Sequence, residues 1–215
     1  MKKVSLSFTA LLLVAVTLLS LTACGSERDK LVGDWTATVS LADIIESQIN
    51  AQSEELGINM EIDSFDLKML FSFKSDGTYS IAADKGSIDT AMDGLAESLK
   101  KSLRGYFEQE IEKQGLDMSV DELLELSNIS LDSIVDQSLD VLNTDEMVAA
   151  FESSGKFDAK DGKLFTYVGS IDEGVYETYE LTDTELKITG SVGAGNSATE
   201  ELTDIIYPLV LTKTN

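Results

Sequence analysis

The sequence predicts a mainly β protein with an α insertion: an antiparallel barrel of about eight strands that carries a helical subdomain. Three observations lead there. Short runs in which apolar and polar residues alternate recur on both sides of the chain's middle, each with one apolar face. Glycine turns at Asp76-Gly77 and Asp161-Gly162 separate consecutive runs at hairpin spacing. Between those hairpins, residues 85–153 change to the helical period. Sequential antiparallel strands, each apolar on one side, suit a sheet closed on itself with that side turned inward.

Val32-Gly33-Asp34-Trp35 opens the first strand, where Trp35, Ala37, Val39 and Leu41 alternate with Asp34, Thr36, Thr38 and Ser40. Residues 42–56 place Ile44, Ile45, Ile49 and Leu56 at helical spacing and end at Gly57, the residue type that most readily takes a left-handed helix cap. In the second strand Phe65, Leu67, Met69, Phe71 and Phe73 share a face, with Leu70 the exception. Burial of that face decides the next turn: a three-residue loop Ser75-Asp76-Gly77, with Gly77 left-handed, sets Phe73 against Tyr79 and Phe71 against Ile81. The same logic predicts a three-residue loop Lys160-Asp161-Gly162 that sets Phe157 opposite Phe165. Tyr179 and Leu181 return as Leu186 and Ile188 around Asp183. The last strand, 206–213, carries Tyr207, Leu209 and Leu211 inward, and Pro208 marks an edge, a strand start or a bulge.

Within the insertion, Ile88, Met92, Leu95, Leu99, Leu103 and Tyr106 step by three or four along one helical stripe. Ser119-Val120-Asp121-Glu122 is a capping box for a second helix. A third spans Leu131 to Leu142, with Asp132, Asp136 and Asp140 on its polar side, and a fourth runs from Thr144 to Gly155. Residues 190–199, rich in Gly, Ser and Ala, read as a loop.

The first 30 residues have a different purpose. Lys2 and Lys3 precede an apolar run from Leu11 to Leu19, then small residues, the order of a secretory signal. Leu21-Thr22-Ala23-Cys24 resembles the lipobox of bacterial lipoproteins, in which the cysteine thiol takes a diacylglyceryl group and becomes the mature N-terminus. The resemblance implies a signal peptide at 1–23, lipidation at Cys24, a tether at 24–30 and one barrel domain at 31–215 with its insertion at 85–153. It implies a membrane partner reached through the lipid anchor, on the extracytoplasmic face. Cys24-Gly25-Ser26 is similar to a Gram-positive lipoprotein start.

The formal charge is −23, and −25 once Lys2 and Lys3 are removed. Such a field repels nucleic acid and anionic head groups alike, so no nucleic-acid partner is expected. The chain has no histidine and one cysteine, which leaves no Ser/His or Cys/His nucleophile, no intrachain disulfide and no imidazole or multi-thiolate metal site. Ser98-Leu99-Lys100-Lys101 matches the Ser-x-x-Lys of penicillin-recognising enzymes without the companion motifs. The aspartate stripe lacks the glycine and alternating oxygens of a calcium loop. The expectation is a non-enzyme with no catalytic residues, no metal and no cofactor.

Gly33-Asp34-Trp35 has the Gly-x-Trp pattern of lipocalins and fatty-acid-binding proteins, and a helix between the first two strands is similar to the latter. Phe73 to Tyr79 and the closing Tyr207 to Leu211 segment look like the lipocalin-like domains of small bacterial lipoproteins. In lipocalins an arginine late in the barrel packs on the tryptophan; Lys213 occupies a comparable place. The resemblance implies an apolar or amphipathic small molecule as partner, bound among Trp35, Phe71, Phe73, Tyr79, Phe165, Tyr167, Tyr179 and Tyr207. The alternative is an interaction or scaffold module whose barrel is filled by these same side chains, with a protein partner that the sequence does not identify.

Overall fold

The computed structural model describes residues 26–53, 59–140, 143–193 and 206–214. The leader, Cys24, the end of the first long helix at Gly57 and most of the 190–199 loop lie outside the described residues.

Eight strands close into one antiparallel barrel in which each pairs with its neighbours in sequence and the last pairs with the first. They are β1 (Gly33–Ser40), β2 (Asp66–Phe73), β3 (Thr78–Ala83), β4 (Ser153–Lys160), β5 (Lys163–Tyr167), β6 (Tyr176–Leu181), β7 (Glu185–Val192) and β8 (Leu209–Thr214). Strand alternation builds the core. Trp35, Ala37, Leu67, Met69, Phe71, Phe73, Tyr79, Phe157, Ala159, Leu164, Leu186, Ile188 and Leu211 belong to one buried cluster, while Leu70 faces out. Pro208 lies just before β8, where its missing N–H breaks no ladder.

The first hairpin has the expected register, with Phe73 against Tyr79 and Phe71 against Ile81. Lys74 and Thr78 close a three-residue loop by a 2.8 Å backbone bond, and Gly77 sits at φ +83°. The second hairpin differs from expectation. Lys160 pairs with Lys163, so the loop has two residues, Asp161 at φ 56° and Gly162 at φ 70°. These are the two positive angles of a type I′ turn, which Asp-Gly favours because its twist matches the strands. Phe157 therefore lies opposite Thr166 rather than Phe165.

Because the strands alternate in direction, the barrel has two distinct ends. At one, β1 begins and the β2–β3, β4–β5 and β6–β7 turns gather. A short helix, α1 (Glu27–Leu31), packs there. Residues 27–30 are thus not a free tether. Ser26 and Asp29 form a reciprocal capping box, Leu31 is buried, and the Trp35 indole N–H donates to the Leu31 carbonyl at 2.8 Å. Arg28 donates to Ser75 O at 3.1 Å and stands 5.6 Å from the centre of the Phe157 ring. Glu27 accepts from Gly162 N and from the Tyr179 hydroxyl, each at 3.1 Å. Lys213 crosses beneath, its ammonium 5.0 Å from the Trp35 ring. Gly33 makes room for it: at φ +140°, a Cβ would lie 2.8 Å from Lys213 Cε.

At the opposite end enter α2 (Ala42–Ser53), the insertion, and the β5–β6 and β7–β8 connections. The insertion comprises α3 (Lys85–Gln114), α4 (Val120–Ser127), α5 (Leu131–Leu139) and α6 (Thr144–Ala150). Its fourth helix ends before Gly155, since 153–160 is already strand. The N-terminal half of α3 buries Ile88, Ala91 and Leu95 against the barrel core, with Met92 and Leu99 packed beside them. Lys85 bridges to Asp145 at 2.9 Å and Lys100 to Asp132 at 2.8 Å, tying α6 and α5 to α3. One member of the aspartate stripe is accordingly engaged by a lysine.

Candidate functional site

The candidate site is the barrel interior. Trp35, Phe71, Phe73 and Tyr79 lie on the inner face and are buried, and Tyr179 and Tyr207 pack against the same cluster. Phe73 meets Phe157 edge-on, ring centres 4.9 Å apart, and the Tyr79 hydroxyl lies 3.2 Å from Ser153 Oγ. Phe165 and Tyr167 are not part of this group. Phe165 pairs with Asp158 and Tyr167 with Lys156, both exposed, so these two aromatics are on the outer face. The two-residue turn is the cause, since changing loop length by one residue moves every side chain of β5 to the other side. Phe165 stacks outside against Tyr176, centre to centre 5.8 Å.

The same pairing reveals an inward residue that the aromatic list missed. Glu177, second in β6, pairs with the buried Leu164 on one side and with Ser191 on the other, which puts it on the inner face. Its Oε2 is shielded from solvent and has no hydrogen-bond partner. The nearby cations point away: Lys163 lies over the Tyr176 ring at 4.3 Å on the outside, and Lys187 faces Glu180 at 3.6 Å. Burial raises the Glu177 carboxyl above its ordinary value of 4.5. Tyr207 is the polar neighbour, hydrogen-bonded to the Ser191 side chain, its ionisation opposed first by burial and then by the Glu177 charge. The signal was in the alternation: if Tyr179 and Leu181 face inward, so does Glu177.

An open cleft of about 530 Å³ lies at the α1 end, where Glu27, Asp29, Lys30 and Asp183 meet Tyr179, Leu181 and Lys213. The Tyr179 hydroxyl in its wall is held protonated by burial and by its bond to Glu27. Elsewhere, Ser98 is buried in α3, whereas Lys101 reaches outward to Asp63 at 3.7 Å.

Comparison with known proteins finds no matching family model, no similar curated protein and no similar solved structure.

The Glu177 environment gives a pH signature. A carboxyl raised on folding adds stability in full below its unfolded value, and that share is lost as pH rises through the folded value. Glu177→Gln removes this dependence. The variant is expected to be more stable than the parent at pH 7 by on the order of 1 kcal/mol, with the gap closing as pH falls toward 4.5, in urea melts across the range.

Proposed function

We propose that this is a lipid-anchored envelope protein, held by an acylated Cys24, whose barrel binds an apolar or amphipathic small molecule from the insertion end. The polar group at that end carries the ligand part of the reading. At the α1 end the interior is filled by Trp35, Phe73 and Phe157 under a fitted helix. At the insertion end the inner face presents Glu177, Ser191 and Tyr207, a small set of convergent polar groups beside an apolar wall, which is the composition of small-molecule sites.

The anchor part rests on the lipobox-like Leu21-Thr22-Ala23-Cys24 and on where the fold begins. Only Gly25 and Ser26 separate Cys24 from α1, so the α1 end of the barrel would stand at the bilayer and the insertion end away from it. Two acyl chains suffice for stable attachment. Cys24→Ala is expected to abolish incorporation of an alkyne fatty acid; equal labelling of parent and variant would refute the anchor. For the ligand, Nile red is expected to bind the acyl-free chain from Ser26 onward saturably, with a Kd in the micromolar range, about −8 kcal/mol. Non-saturable or absent binding to the folded chain would refute the ligand reading.

The scaffold alternative has one specific observation behind it. In the insertion Leu126 is 76% exposed, Ile129 47% and Leu116 44%, large apolar side chains left open to solvent among the described residues.

A further inference from the structure

We propose that the ligand of this barrel carries a cationic amine head group, received by the Glu177 carboxylate on the inner face of β6. This rests on the reading of the barrel as a small-molecule binder and names the class of molecule it takes.

Glu177 leaves a polar imbalance inside the barrel. A buried polar atom without a partner is rare in native folds because leaving it unpaired costs about 1–3 kcal/mol, more for a charge. Glu177 Oε2 is such an atom, and the lysines described on the neighbouring strands are turned elsewhere: Lys163 and Lys187 lie on the outer face, and Lys213 is occupied by Trp35. Ser191, the polar cross-strand neighbour, is engaged with Tyr207. An ionised carboxylate only accepts hydrogen bonds, so its complement is a donor, and an ammonium supplies three donors together with the compensating charge.

The surroundings fit an apolar body behind that head. Leu164 flanks Glu177 inside, and Ile188 and Leu211 are buried on the same inner face of the neighbouring strands. The −23 charge of the chain attracts organic cations and opposes fatty-acid carboxylates, for which Glu177 would be a like charge.

The test is calorimetric titration of the full chain in a non-ionic detergent with three water-soluble probes of one shape: 4-phenylbutylamine, 4-phenylbutanol and 4-phenylbutyrate. Parent, Glu177→Gln and Glu180→Gln, the latter on the outer face beside Lys187, are compared after circular dichroism confirms their fold. The amine is expected to bind the parent at least tenfold more tightly than the alcohol, with no binding of the acid. In Glu177→Gln that preference should vanish while the alcohol still binds; in Glu180→Gln the amine preference should persist. Equal binding of amine and alcohol to the parent, or an amine preference kept by Glu177→Gln, would overturn the amine proposal and leave the small-molecule reading standing. Binding of none of the three to folded parent would overturn both.

Discussion

Trp35→Ala is expected to destabilise the protein by about 3–5 kcal/mol, the range for removing a large buried aromatic. The indole is 1% exposed at the base of the barrel and joins three parts of it. Its N–H holds the Leu31 carbonyl of α1 at 2.8 Å, its ring lies 5.0 Å from the Lys213 ammonium of β8, and its strand position sets it against Phe71 of β2. Alanine would leave both a cavity and an unpaired buried carbonyl. Trp35→Phe should recover much of the packing and none of the hydrogen bond, placing it between the two in urea unfolding. A melt in which Trp35→Ala matches the parent would mean that α1 does not close this end.

Phe157→Ala is expected to cost a similar 3–5 kcal/mol, and Phe165→Ala only about 0.5–1.5 kcal/mol. Phe157 is 1% exposed, edge-on to Phe73 and under the Arg28 guanidinium, whereas Phe165 shares the outer surface with Tyr176. The comparison tests the hairpin register itself. A three-residue loop at Asp161-Gly162 would turn Phe165 inward and make the two losses nearly equal, so matched losses in denaturant melts would contradict the type I′ turn.

Sequence alternation was sufficient for β1, β2 and β8, because each has one apolar face and a register error there would expose it, and for β7 as far as Ile188, beyond which the ladder with β6 shifts register. The first hairpin was legible for the same reason: Phe73 and Tyr79 have to share a side. The second hairpin misled because β5 carries apolar residues on both faces, Leu164 inside and Phe165 with Tyr167 outside. With no polar side to hide, burial does not choose the register, and the backbone preference of Asp-Gly for a two-residue turn decides it. α1 was read as tether because five residues show no helical period; its capping box at Ser26 and Asp29 was the available signal. The aromatic site list followed the assumption that large rings line the interior. Parity along β6 pointed equally to Glu177, whose acidic side chain on an apolar face is a local inconsistency of the kind that marks functional positions.

A small-molecule seat inside the barrel is tested by amide NMR of the acyl-free chain from Ser26 onward titrated with 4-phenylbutylamine. Saturable shifts are expected at Glu177, Ser191 and Tyr207, with Leu31, Trp35 and Gly77 at the α1 end unmoved. Shifts centred on Leu31, Trp35 and Gly77, or none at any of these positions in the folded chain, would contradict the seat.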